Sequence, residues 1–402
     1  MTIPKLRFKD ESGGEFPQWE QKRLGNITVE LKDTVDPSCY KDKTFVEYSM
    51  PAFDNNQRPM VVYGKDMHSI RKTISEPCLL VNKLNVRKKR IWLHKEFEPN
   101  AVCSTEFVAL GSNGVIDLHY LKQLALTNHF TEYLINNSSG TSNSQKRVSP
   151  ATILNYKAFI PVLPEQEKIA DFLTSYDAMI DNQSKRVDVL KLRQKGLLHK
   201  IFSQEIRFRD ENGQEFPAWE EKRLGEIFEQ VNAYALPSDE NRLYSLTVEN
   251  GIVEKSARYD RSFLVKKNDK FKLVKPNEFV YNPMNMTIGA VGYNLFNKNI
   301  VVSGYYVVMK TSDRIGDYYW YNWLKSFEAI KLFKKYATGS LIEKQRIQFP
   351  TFMNIRALVP SADERQKIAD FLTAVDKQIN VEEKRLETMK TIKKGLLQQL
   401  FV

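Results

Sequence analysis

The sequence is short of the residues that carry most protein chemistry. Its 402 residues hold three cysteines, Cys39, Cys78 and Cys103, an odd number at spacings that fit no metal-ligand pattern. They read as reduced thiols in a cytosol, and a zinc site is not indicated. The five histidines, at 68, 94, 119, 129 and 199, show neither ligand spacing nor a nucleophile arrangement. No apolar run reaches the roughly 18 residues of a membrane span. The opening "MTIPKLRFKDESGG" lacks the apolar core of a secretory signal. No "GxxxxGK[ST]" is present, which excludes that type of ATP site, and no glycine-rich cofactor loop lies in a strand–helix setting. The stretch "YNPMN" (281–285) approaches the Asn-Pro-Pro-aromatic motif of amino-methyltransferases but lacks the second proline and the aromatic residue. No nuclease-like carboxylate–lysine cluster stands out. Metal catalysis, covalent catalysis and nucleotide hydrolysis therefore have no carrier here, and an enzyme is disfavoured.

What is present is charge and repetition. The formal net charge is +11, a balance that attracts polyanions by field and by counterion release. A merely soluble basic protein is the other reading of that number. The composition, 42% hydrophobic and 27% charged, suits packed globular domains rather than disorder.

The segment "RFKDESGGEFPQWEQKRLGNI" (7–27) returns as "RFRDENGQEFPAWEEKRLGEI" (207–227), with 15 of 21 positions identical. Residues 165–202 match 364–401 at 18 of 38 positions, both opening on a version of "KIADFLT". Weaker echoes align "LLVNKLNV" (79–86) with "FVYNPMNM" (279–286), and "RVSPATILNYKAFIP" (147–161) with "RIQFPTFMNIRALVP" (346–360). The offset stays at 199–200, so the chain is a tandem duplication of a domain-sized segment, too long in period for a solenoid. Residues 28–146 and 228–345 have drifted far apart while the ends stay alike. A kept scaffold with a changed surface suits two versions of one recognition domain.

The two related helical stretches carry a heptad seam. In the first it runs through Ile169, Leu173, Tyr176, Ile180, Val187, Leu190, Leu197 and Ile201, with Gln183 and Gln194 at the remaining positions. In the second it runs through Ile368, Leu372, Val375, Ile379, Leu386, Met389, Leu396 and Leu400, with Glu382 and Lys393 as polar members. A seam of this length needs a partner, and the tethered copy is at hand. The expected arrangement is an antiparallel helix pair with a pseudo-twofold relation between halves, in which Gln183 faces a Glu382 or Lys393 layer that sets register. Two independent helices, each docked on its own domain, are the alternative.

Each half reads as mixed α/β (α+β) with short strands at "TFVEYSM", "CLLVNKL" and "TEFVAL", and at "RLYSLTV", "NEFVYNP" and "GYYVVM". Amphipathic helices are expected at 120–137 and 318–337. The Tyr/Trp cluster 318–323 reads as core rather than as a platform for stacking bases. Polar glycine-containing loops follow both helices. From them Ser142, Asn143, Gln145 and Lys146, and Ser340, Lys344, Gln345 and Arg346, are candidates for phosphate or base contact. Basic segments add Lys83, Arg87, Lys88, Lys89 and Arg90 in "NKLNVRKKR", with "VKKNDKFKLVK" (265–275) and "KLFKKY" (331–336) in the second half. Asn82, Asn85, Asn282 and Asn285 occupy equivalent loops, where asparagine can pair with adenine or simply make a turn. A solvated lysine face and an ordinary surface loop are the plain alternatives for these segments.

The "P…W…RLG" opening of each half, the "KIADFL…D" helix entry and the order of domains and helices resemble the specificity subunits of type I restriction–modification systems. The resemblance covers the whole chain. It implies target-recognition domains at 1–163 and 203–362 and spacer helices at 164–202 and 363–402. It also implies a non-catalytic chain, cytoplasmic in a bacterium or archaeon, that binds double-stranded DNA at a bipartite asymmetric site. Its implied partners are two modification (methyltransferase) subunits and, through them, restriction/translocase subunits. No cofactor is implied in this chain; S-adenosylmethionine, ATP and Mg belong to the partners. A coiled-coil adaptor that binds only proteins, and a degenerate methyltransferase, are the competing readings.

Overall fold

A computed structural model describes residues 4–142, 145–254, 271–339 and 345–401. It forms two compact units, residues 1–184 with 384–402, and residues 185–383. The units divide each long helix near its middle rather than at its ends. Each unit contains the start of one long helix and the end of the other.

In the first unit the central sheet orders the antiparallel strands Thr28–Leu31, Phe107–Ser112, Cys78–Asn82 and Ile91–His94. Alternation along these strands sends side chains to opposite faces. Leu79, Val81, Val108 and Leu110 join one core with Tyr120, Leu124, Phe130, Ile169 and Leu173. Cys78, Leu80, Phe107 and Ala109 join a second with Tyr48 and Trp92. Beyond that face lies a five-stranded sheet, ordered Thr34–Val35, Arg71–Thr73, Ala101–Ser104, Thr44–Tyr48 and Met60–Tyr63. Its pairing of Thr44–Tyr48 with Ala101–Ser104 is parallel. Cys78 and Cys103 are buried in this layer, which pushes both thiols up, Cys103 to about 12, so neither is poised as a nucleophile.

The second unit repeats the central sheet with Phe228–Val231, Val307–Thr311, Phe279–Tyr281 and Val291–Tyr293 in the same order. Its far layer differs. Among the described residues it contains two separate two-stranded ladders, Tyr244–Thr247 with Gly251–Glu254 and Phe271–Val274 with Ile300–Ser303. The divergence of the sequence between copies is thus concentrated in this outer layer and its loops.

The helices expected at 120–137 and 318–337 are each split in two. Leu118–Ala125 gives way to Asn128–Asn136, and Asp317–Trp323 to Phe327–Tyr336. The cause is local: Thr127 and Ser326 are N-caps whose side chains accept from the Phe130 and Ala329 amides and so start a new helix. Tyr319, Trp320 and Trp323 are buried core residues, as the sequence suggested.

The long helices are Leu163–Phe202 and Ala362–Leu400. At about 1.5 Å per residue, 40 residues extend roughly 60 Å. The entry to each is fixed by a buried carboxylate in its first turns. Glu165 accepts from Arg7 Nε at 3.0 Å and Nη2 at 2.6 Å, and from Trp19 Nε1 at 3.0 Å. Glu364 accepts from Arg207 at 2.8 and 2.9 Å and from Trp219 Nε1 at 3.0 Å. Arg7 and Arg207 also donate to the carbonyls of Pro17 and Pro217, both at 2.8 Å. The arginine, tryptophan and glutamate common to both copies are therefore one structural device.

Pairing of the helices is antiparallel within each unit. In the first, Lys393 donates to Asp177. In the second, Arg186 pairs with Glu382 at 3.0 Å, and Gln194 donates to Asp376, so one helix advances as the other retreats. Seam residues Ile169, Leu173, Val187, Ile368, Leu372, Ile379 and Leu386 are buried, and Ile180, Leu190, Leu197 and Leu396 are half-buried. The expected polar seam members Gln183 and Glu382 are both buried. Lys393 and Gln194 each meet an aspartate on the facing helix, and Asp177 and Asp376 are equivalent positions of the two copies. Helix ends also enter the cores: Leu400 and Phe401 in the first unit, Ile201 and Phe202 in the second. The Leu6 amide donates to the Gln399 carbonyl at 3.0 Å, and the Ile206 amide to Lys200 at 3.1 Å, so the segment after each repeat boundary meets a helix end in the same way.

Candidate nucleic-acid interface

The basic loop and the glycine-containing loop, distant in sequence, lie side by side in the first unit. Strand Cys78–Asn82 ends at Asn82, which is buried. Its Nδ2 donates to the Leu84 carbonyl at 2.9 Å, and its Oδ1 accepts from the Arg90 amide at 3.2 Å, closing loop 83–90 at both ends. The Asn85 amide donates to the Lys146 carbonyl at 2.8 Å, and the Val148 amide to the Lys83 carbonyl at 3.0 Å. Asn85 sits at φ 53°, a left-handed turn that asparagine tolerates. Ser139 and Arg147 exchange amide hydrogen bonds of 2.9 and 2.8 Å across the base of the second loop.

The second unit shares the bonds at the loop bases, while the loop itself turns differently, with Asn285 at φ −120°. The Asn282 Oδ1 accepts from the Met284 amide at 3.0 Å, and the Asn282 amide donates to Ala290 at 3.2 Å. The Ile347 amide donates to Pro283 at 3.0 Å, and Thr338 and Arg346 exchange bonds of 3.0 and 2.9 Å. The helix Phe327–Tyr336, with Lys331, Lys334 and Lys335 exposed, lies against this loop: a Cβ on Gly289 would come within 3.3 Å of Ile330 Cδ1.

The side chains on the shared frame differ. In the first unit Arg87 and Lys88 are exposed at the loop tip, with Lys88 at 4.0 Å from Asp54. Lys83 and Lys146 are half-buried, and burial lowers the Lys83 ammonium below its usual value. Ser142, Gln145 and Arg147 are exposed, the last 2.7 Å from Glu106. In the second unit the corresponding loop presents Met284, Asn285 and Ile288 to solvent, beside exposed Arg346 and half-buried Gln345.

Several candidates are engaged inside the protein. Asn82 is committed to its own loop. Arg90 is buried and makes a two-pronged pair with Asp54 at 2.9 and 2.7 Å. Lys89 turns to the Leu126 carbonyl at 2.7 Å and Asn128 Oδ1 at 3.0 Å. Within 265–275, Lys272 is buried in its strand and its ammonium is lowered by desolvation. Asn143, Ser340 and Lys344, and residues 265–270, lie outside the described residues. Sequence reasoning missed Arg147, although it is the counterpart of Arg346 in the aligned "RVSP" and "RIQF".

The family described as type I restriction modification DNA specificity domain matches the chain twice, at residues 17–192 and 218–391. The chain belongs to this family. Among relatives of this specificity chain is the type I restriction enzyme MjaVIII specificity subunit of Methanocaldococcus jannaschii, 24% identical over 98% of this chain and 94% of the relative. The putative MjaX specificity subunit of the same organism is 23% identical over 98% and 95%. The fold of the specificity chain is similar to the crystal structure of a type I restriction–modification S subunit from M. genitalium, with a TM-score of 0.57, 15% identity, and coverage of 100% of this chain and 99% of that one. The two family matches coincide with the two copies of the repeat, and each includes one pair of adjoining loops.

Proposed function

We propose that each unit of this specificity chain reads one half of a split, asymmetric DNA target, and that the chain catalyses nothing itself. The observation that carries the reading is the shared loop frame bearing different side chains. Loops set on the same base present Arg87 and Lys88 in one unit and Met284, Asn285 and Ile288 in the other. Cations on such a frame position it on phosphates, while polar and apolar tips meet base edges and thymine methyl groups. Candidate contacts in the first unit are Lys83, Asn85, Arg87, Lys88, Ser142, Gln145, Lys146 and Arg147. In the second they are Asn282, Asn285, Gln345 and Arg346.

In this reading the paired helices set the unread gap between half-sites and dock two modification subunits. S-adenosylmethionine chemistry resides there, and ATP- and Mg-dependent restriction subunits join through them. The deciding experiment replaces residues 28–146 with the corresponding segment of another specificity chain and sequences the methylated motif in cells that also contain the modification subunit. One half of the motif is expected to change and the other to stay. A change in both halves, or no motif in either protein, overturns independent reading.

A further inference from the structure

The first unit has a basic cleft that base reading does not use. It encloses about 560 Å3 where the start of helix Asn128–Asn136 faces the end of the second long helix. Lys89 reaches in from the loop side, Lys390, Lys393 and Lys394 from the long helix, and His129 and Glu132 from the short helix. Leu397 and Phe401 form its apolar floor.

The charges in it are not balanced. Lys393 is held by Asp177, and Lys390 by Glu387 on its own helix at 2.8 Å. Lys394 has no ion-pair partner among the described residues, and Glu132 is the one carboxylate on the lining. Burial, then the nearby Lys394 charge, hold the Lys89 ammonium below its ordinary value. A cleft that brings cations together in this way is relieved by an anion. Two of three Lys89 hydrogens are used by Leu126 and Asn128, leaving the third for such a guest.

The repeat supplies an internal control. At the equivalent place in the second unit Gly289 stands for Lys89, Gln194 for Lys393 and Glu328 for His129. There Glu328 pairs with His199 at 3.0 Å, and Lys191 with Glu383 at 2.6 Å. The scaffold and two of its lysines are common, Lys191 and Lys195 standing for Lys390 and Lys394, and Lys331 stands for Glu132; what the first unit adds is Lys89 and Lys393, which converge on the cleft.

We infer that this cleft is a binding site for a phosphate group, supplied by the nucleic-acid backbone or by a small phosphorylated molecule. The inference is separate from base reading: it concerns affinity on one side of the chain, not which motif is chosen. The test uses the full chain, Lys394→Met, and the double variant Lys89→Met/Lys394→Met, with His199→Ala as the second-unit control. Thermal unfolding checks the fold, and the exposed Lys394 keeps the test informative if the double variant is unstable.

Calorimetric titration with sodium pyrophosphate at constant ionic strength is expected to show one saturable site. That site should weaken at least tenfold in the double variant and persist in His199→Ala. Binding to a duplex of random sequence across a salt series separates the sources. A backbone phosphate in the cleft lowers the salt slope by about one per lysine removed. A small-molecule site leaves the slope unchanged while pyrophosphate binding is lost. If pyrophosphate binding and the salt slope are both the same in parent and variants, the cleft holds no phosphate and the inference fails. Loss of motif preference with the cleft intact would instead count against the proposed function.

Discussion

Glu165 and Glu364 have no exposed surface, yet each is surrounded by donors rather than stranded. Removing one partner of such a pair leaves the other charge poorly satisfied. Glu165→Ala is therefore expected to cost roughly 3 kcal/mol in urea unfolding. Glu165→Gln should cost less, since its amide oxygen still accepts from Trp19. Asp376 makes the opposite case. Burial raises its carboxyl above the ordinary 3.8, while the bonds from Tyr318 and Gln194 partly offset this. Its contribution to stability is complete below pH 3.8 and is lost as pH rises through the folded value. Unfolding measured against pH should show wild type losing stability relative to Asp376→Asn across that window and running parallel to it above. If the proposed loops contact DNA, replacing Lys83, Arg87 and Lys88 by alanine should reduce the salt slope of binding by about 2 to 3. Arg90→Ala should lower stability through loss of the Asp54 pair, with little effect on the slope.

At the scale of elements, the seam was readable because periodicity survives where identity does not. Ile368, Leu372, Ile379 and Leu386 are buried on the spacing the sequence suggested. The breaks at Thr127 and Ser326 were also written in the chain, as capping residues before "NHF" and "FEA". The Lys393–Asp177 and Gln194–Asp376 pairs were not readable. Lys393 and Gln194 meet aspartates whose facing positions depend on how the cores seat each helix. Nor was the adjacency of loops 83–90 and 138–148, which rests on backbone bonds between residues some sixty positions apart. Asn82 shows a related limit: asparagine serves a base or a turn equally well, and its burial and bonds to its own loop are not written in the sequence. If the helices hold the half-sites apart, inserting about one heptad into one of them should alter the motif's gap or abolish methylation, as read by sequencing the modified genome. An unchanged motif would remove the spacer role.

For the molecule as a whole, duplication means that one scaffold is used twice and specialised twice. The central sheets, glutamate-centred helix entries and loop bases correspond, while the outer layers and the positions of Lys89 and Lys393 do not. The Leu6–Gln399 and Ile206–Lys200 amide bonds extend this likeness to the repeat boundaries. One boundary is covalently continuous and the other is held by packing, yet both make the same bond. A rearranged gene that joins the present last residues to the first through a short linker, and opens the chain near Gln204, should therefore give a protein with the same circular dichroism and the same methylated motif. Which half is translated first would then be an accident of gene order.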